Sequence, residues 1–283
     1  HGTCTCYVAL SLLIVWSYQA TGSLCAFGNA DRTERSMTQQ KTNQPSTALI
    51  TGAARRIGRA ITNALAANSW QVAIHHNASG DEAEKLAAEI RAAGGKAVTL
   101  QCDLSDIAAV GSLVDRCADL LGTPTCLINN ASTFLDDSPT DLRPEVWDRH
   151  FDTNLRAPVF LATSFARQLP QGSLGNIINV IDQRVLRPTP EFFSYTISKA
   201  ALWTATRTLA QALAPNIRVN AVSPGPVLQS IHQSKEDFDK EVASTLLQRA
   251  CPPEEIANAV LFILGSPSKT GQMITLDSGQ HLA

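Results

Sequence analysis

The sequence is short of several things at once, and each shortage excludes a class of function. Lys and Arg number 23 against 25 Asp and Glu, a formal net charge of -2, so there is no basic field to hold a phosphate backbone, and nucleic acid is not an expected partner. Of the seven cysteines, the four at 102, 117, 126 and 251 show no CxxC pair and no histidine at ligand spacing, which removes the common zinc patterns there. His75 and His76 are neighbours; on a strand they face opposite ways and cannot converge on one ion. No metal is expected. The apolar stretch Tyr7 to Tyr18 falls short of the roughly 20 residues that cross a membrane. The segment before it, His1 to Cys6, has none of the Lys or Arg of a secretory signal. Neither a membrane anchor nor export is expected, and there is no internal repeat.

What is present is the balance of an ordinary folded domain, 44% hydrophobic and 17% charged, long enough for one sizeable core. Residues 1–36 differ in kind, holding Cys4, Cys6 and Cys25 and ending just before Met37. They read as a non-native leader or an unstructured extension, with the folded domain spanning 37–283. Cys102, Cys117, Cys126 and Cys251 read as buried free thiols of a cytoplasmic protein.

From Thr47 onward, short β-rich runs alternate with helical patterns. TALIT (47–51) precedes the helical run IGRAITNALAAN, and QVAIH precedes DEAEKLAAEIRAA, which closes at Gly94-Gly95. KAVTLQ, IAAVGSLVDRCADLL and CLINN follow, then NIINV, a long helix from Phe193 to Leu213, IRVNAVS and MITLD. Such alternation predicts βαβ units, hence an α/β fold: a single doubly wound Rossmann domain with a parallel sheet.

The turn after the first strand reads Thr51-Gly52-Ala53-Ala54-Arg55-Arg56-Ile57-Gly58. A pyrophosphate can rest on the N-terminus of the helix that follows, with Gly52 and Gly58 permitting close backbone approach. The second strand ends His75-His76-Asn77-Ala78-Ser79, with no acid before Asp81. A carboxylate there would select NAD and repel a 2′-phosphate, so its absence permits NADP, with Arg55 or Arg56 and Ser79 as donors. Tyr195 and Lys199 stand four apart on the long helix, a spacing that places them on one face, where the ammonium is expected to lower the phenol's pKa.

Asp103, Asn129-Asn130-Ala131-Ser132, Asn154, Tyr195-x-x-x-Lys199 and Pro224-Gly225 follow the glycine turn in this order. The set resembles the short-chain dehydrogenase/reductase family from about Thr47 to the end. Three positions depart from the family's common pattern. Asp182 stands where a catalytic serine precedes the tyrosine, Arg56 replaces the middle glycine of TGxxxGxG, and Ser132 replaces the last glycine of NNAG. With Phe134 and the ending Leu276-Asp277-Ser278-Gly279-Gln280-His281-Leu282, these departures are similar to the pteridine reductase branch, including dihydromonapterin reductases.

The resemblance implies NADPH as cofactor, a dihydropterin as the small-molecule substrate and a homotetramer built partly through the long helix. It implies that Asp182 and Tyr195 organise proton delivery, that Lys199 holds the nicotinamide ribose and that Asn154 supports a water relay. Arg56 and Ser132 would touch cofactor phosphate and pterin, Phe134 would stack on the pterin, and Asp103, Asn130, Ala131, Pro224 and Gly225 would line the cofactor site. Side-chain selectivity would fall in the loop Val227 to Lys240. Physical chemistry favours the same branch, because an ionised Asp182 would repel the oxyanion of a ketone reduction but can accept hydrogen bonds from pterin N–H groups. Two other readings stand beside it: a short-chain reductase of another carbonyl or imine, and a catalytically silent NADP-sensing protein.

Overall fold

The computed structural model describes residues 46–230 and 233–283; the leader expected at 1–36 lies outside them. Seven parallel strands form one sheet: β1 (Thr47–Ile50), β2 (Gln71–His76), β3 (Ala97–Gln101), β4 (Cys126–Asn129), β5 (Gly175–Val180), β6 (Ile217–Pro224) and β7 (Met273–Leu276). Their order is β3-β2-β1-β4-β5-β6-β7, the doubly wound pattern read from the sequence. Helices α1 (Arg56–Ala67), α2 (Gly80–Ala92), α3 (Ile107–Leu121), α4 (Pro144–Phe151), α5 (Ala157–Gln168), α6 (Phe193–Leu213), α7 (Lys235–Ser244) and α8 (Pro253–Leu264) complete the chain.

Successive side chains of a strand point to opposite faces, and both faces here are dry. Ala48 and Ile50 of β1 join Ile61 and Leu65 of α1 and Ile256 and Val260 of α8, whereas Leu49 joins Val110 and Leu113 of α3 and Leu161 and Phe165 of α5. Burial on both sides explains why the strands read as continuous apolar runs and not as alternating ones.

Two features differ from the sequence reading. Helices α4 and α5 lie where no element was expected, joined by a single π-helical turn, Asp152–Arg156. The expected loop Val227 to Lys240 ends early, because Ser234 accepts the Asp237 N–H and starts α7 at Lys235. Among the described residues, no helix is long and apolar enough to cross a membrane.

The order reverses at β1, which pairs with β2 on one side and β4 on the other. The crevice beyond the carboxyl ends of β1 and β4 is where ligands settle in such sheets, and the predicted site residues other than Asn154 line it or the cleft that adjoins it.

Candidate active site

The glycine turn is built by its neighbours. The Thr51 hydroxyl oxygen accepts the Asn130 and Ala131 N–H groups at 3.0 Å each, and the Asn130 amide donates back to Thr51 O at 2.9 Å and Gly52 O at 3.0 Å. Gly52 has φ of +60°, and a Cβ on Gly58 would lie 2.1 Å from Gly52 O, so neither position has room for a side chain. His75 holds the turn from below: its Nδ1 accepts the Gly52 N–H at 3.1 Å, so the hydrogen is on Nε2, which donates to Cys102 O at 3.0 Å. Burial lowers the pKa of His75 to about 4 and keeps it neutral in this role.

Above the turn lies a cleft of about 540 Å³ lined by Gly52, Arg55, Arg56, Ile57, Gly58, Ser79, Asp103, Asn130 and Ala131. Helix α1 opens onto it with no side-chain cap, leaving first-turn N–H groups to face an anion. The glycine cradle and the uncapped helix start fit a dinucleotide phosphate. Arg55 reaches Glu82 at 2.9 Å at the cleft mouth. The Asp103 carboxyl is held below its usual range, first by the Ser105 N–H and then by the Ser105 hydroxyl. Arg149 and Thr153 line the same cleft and were not expected from the sequence.

A second cleft of about 580 Å³ shares Arg56, Ile57, Asn130 and Ser132 with the first and adds Phe134, Asp182, Tyr195, Lys199, Pro224 and Gly225. Arg56 is itself unusual. Its φ of +51° lies in the left-handed region, which costs a residue with a side chain about 1 kcal/mol or more. Its guanidinium donates to Leu228 O at 2.9 Å and Gln229 O at 2.8 Å, tying the phosphate turn to the loop over the second cleft. Arg184, Phe192, Gln233, Glu241 and Gln280 also line this cleft, contributed by segments whose meeting no local pattern announces.

The Tyr195 phenol donates to Asp182 Oδ2 at 2.9 Å, and Lys199 Nζ donates to Val180 O at 2.9 Å. Tyr195 and Lys199 are buried, and Asp182 is half-buried at the cleft wall. Burial pushes Asp182 up and Lys199 down to about 8. The expectation that Lys199 lowers the phenol's pKa is corrected: burial first, and then the Asp182 charge, push Tyr195 well above its ordinary value. The reason is geometric, since the ammonium lies 5.7 Å from the ring centroid while the hydroxyl faces the carboxylate.

The Phe134 ring meets Tyr195 edge-on at 4.7 Å and stacks on Phe192 at 4.2 Å, with the Arg184 guanidinium 5.1 Å from the Phe192 centroid. Asn154, on the π-helical turn, lies behind this wall and lines neither cleft. Its Oδ1 accepts the Thr133 N–H at 2.8 Å and the Ser132 hydroxyl at 3.2 Å, and its Nδ2 donates to Thr133 O and Ser198 Oγ. With its amide spent on these bonds, a water relay at Asn154 is left the main chain.

Comparison with known proteins places this geometry among reductases. The family model described as enoyl-(acyl carrier protein) reductase matches residues 52–281. The crystal structure of FolM alternative dihydrofolate reductase 1 from Brucella canis, complexed with NADP, is 49% identical with a TM-score of 0.82, covering 84% of this chain and 94% of that one. Pteridine reductase 1 of Leishmania tarentolae is 33% identical over 282 residues, 83% of this chain and 96% of the relative. The 3-oxoacyl-[acyl-carrier-protein] reductase FabG of Staphylococcus epidermidis is 30% identical over 240 residues, 83% of this chain and 98% of the relative.

Proposed function

Because the chain belongs to the short-chain dehydrogenase/reductase family, we propose that it is an NADPH-dependent pteridine reductase that converts a dihydropterin to its tetrahydro form. The observation that carries this reading is the Tyr195 to Asp182 hydrogen bond in a cleft walled by Phe134. When bound, NADPH supplies the hydride. The glycine cradle and the start of α1 would hold its phosphates, Arg55 and Ser79 stand where a 2′-phosphate would be met, and Lys199 would anchor the nicotinamide ribose.

The chain's own groups then handle the proton. Tyr195 keeps its hydrogen across the working pH range, because the phenol is buried and its deprotonation beside Asp182 would place two negative charges together. Asp182, raised by burial, takes up a proton more readily than a surface acid. It also accepts from the amino and ring N–H groups that a pterin presents and a ketone lacks. The Phe134 face turned away from Phe192 offers the stacking surface, and Arg56 and Ser132 contact both ligands from the shared rim of the two clefts.

Cytoplasmic location accompanies this reading, supported by the buried free thiols Cys102, Cys117, Cys126 and Cys251. A homotetramer accompanies it too, supported by exposed Phe160 on α5 and Phe262 on α8.

The test is a steady-state screen with NADPH against dihydromonapterin, dihydrobiopterin, dihydrofolate and a ketone panel, run on the unaltered chain, Asp182→Ser and Asp182→Asn. Dihydropterin turnover that collapses in Asp182→Ser while ketone turnover rises supports the assignment. Ketone reduction in the unaltered chain without dihydropterin reduction moves it to a carbonyl reductase, and NADPH binding with no turnover makes it a sensor.

A further inference from the structure

Helix α6 begins without a cap of its own. Phe192, in the N-cap position, adopts a left-handed conformation (φ 54°, ψ 49°) and makes no side-chain capping bond. The cap arrives from the loop after β4: both Asp137 carboxyl oxygens accept the Ser194 N–H at 3.2 Å, and the Asp137 main-chain oxygen accepts the Phe193 N–H at 3.4 Å. An acidic side chain is the type that suits a helix start. Ser194 immediately precedes Tyr195, so this cap sets the first turn of the helix that carries the phenol.

The same loop is held at a second point. The Leu135 N–H donates to His150 Nε2 at 3.0 Å. An Nε2 that accepts is bare, so the ring hydrogen is on Nδ1, which lies 2.6 Å from Ser194 Oγ and donates to it. The hydroxyl's own hydrogen is then committed to Asp137, its other close partner. The direction of every bond follows from one backbone N–H. His150, Ser194 and Asp137 are buried, at 0%, 0% and 3% exposure, and burial lowers the pKa of His150, which agrees with the neutral ring the chain of bonds requires.

We propose that His150, Ser194 and Asp137 form a positioning relay that locks the Phe134 loop to the Tyr195 turn, fixing the stacking face relative to the proton donor. This rests on the assignment of Phe134 and Tyr195 above. The rings it would hold in register meet at 4.7 Å and 81°, and the His150 ring itself lies 5.9 Å from Tyr195. None of the three side chains lines either cleft, so the relay acts through Phe134 and Tyr195 and not on the ligands.

The two ends of the imidazole can be tested separately. Asn at position 150 places its amide near the Nδ1 site and keeps a donor for Ser194, but cannot reach Leu135. Gln reaches the Nε2 site and keeps an acceptor for Leu135, but leaves Ser194 without its donor. His150→Asn is therefore expected to raise the dihydropterin KM roughly fivefold or more with kcat nearly intact, as the stacking face loosens. His150→Gln and Ser194→Ala are expected to lower kcat about tenfold with a smaller change in KM, since small misplacements at the reacting centre are costly. Affinity for NADPH, read by fluorescence titration, stays within about twofold for all three, because the dinucleotide cradle is untouched.

Hydrogen exchange read by mass spectrometry needs no substrate. His150→Asn should speed exchange in 133–137 and leave 193–198 protected, and His150→Gln the reverse. If the unaltered chain reduces no dihydropterin, the functional assignment fails while the exchange pattern still reads the relay. Unchanged kinetics and exchange in all three variants overturn the relay. So does a uniform loss of kcat, KM and thermal midpoint without the KM-against-kcat split, which would leave only a structural role.

Discussion

At the scale of single residues, the proposed chemistry rests on buried Tyr195 and Lys199 and half-buried Asp182. Replacing Tyr195 by Phe leaves the ring against Phe134 but removes the hydrogen held on Asp182. We expect kcat to fall by roughly 10²–10⁴-fold, the range for a lost general acid, with a far-ultraviolet circular dichroism spectrum like that of the unaltered chain; a rate within a few-fold would move the donor elsewhere. Lys199, brought down to about 8 by burial, is charged below that pH and neutral above it. If its charge serves the reaction, kcat/KM falls as pH rises through about 8. A profile flat to pH 10 would mean either that the charge is not required or that Lys199 titrates like an ordinary lysine, at about 10.4. Tyr195, Lys199 and Asp182 were legible in the sequence because their spacing along one chain is itself the signal. Their electrostatics were not: the phenol's raised pKa depends on which neighbour its hydroxyl faces, and helical spacing does not say that. Phe192 and Arg184 were illegible for a related reason, since a ring in a left-handed residue stacked across a loop has no periodicity to read.

At the scale of elements, the carboxyl end of β2 does more than frame the adenosine side of the cleft. His75 accepts from Gly52 and donates to Cys102 O, which only a neutral ring can do. Its folded pKa of about 4 lies below the ordinary 6.5, so between these values the unfolded chain binds the extra proton. The stability His75 contributes is full above about pH 6.5 and is lost as pH falls toward 4, a change on the order of 3 kcal/mol. Urea unfolding at several pH values should show that slope, and His75→Asn, which keeps an acceptor for Gly52, should flatten it; an equal slope in both proteins would assign it to other groups. Gly58→Ala is a sharper test of the turn. With 2.1 Å available at its Cβ, the turn must shift, and we expect at least a tenfold loss of NADPH affinity by fluorescence titration, since the helix start would no longer address the phosphate squarely. The strands and the long α6 were legible because a sheet buried on both faces writes continuous apolar runs. Helices α4 and α5 were not, as the π-helical turn at Asp152–Arg156 inserts an extra residue and breaks the period that marks a helix.

At the scale of the whole molecule, the two clefts share Arg56, Ile57, Asn130 and Ser132 at the carboxyl ends of the strands, and the proposed reading puts cofactor choice at the end away from Tyr195. Arg55 and Ser79 line that end and no acid terminates β2. We expect NADPH to be preferred over NADH in kcat/KM by a margin of about 1.5–3 kcal/mol per charge-assisted bond to the 2′-phosphate; equal values would remove Arg55 from that role. Sedimentation velocity reads the assembly directly, a tetramer being the expected species.

The pairing of β1 with β4 has a consequence for how the protein is made. Thr51 and Asn130, which clasp each other at the cleft floor, are 79 residues apart in the chain, and contacts of such separation form late because the intervening chain must first be ordered. The dinucleotide pocket therefore does not exist on a partly assembled sheet, and its ligand cannot act as a seed. In refolding from urea, helical ellipticity should return first and enhanced NADPH fluorescence last. Adding the nucleotide at the start should slow later unfolding of the finished protein without hastening its formation.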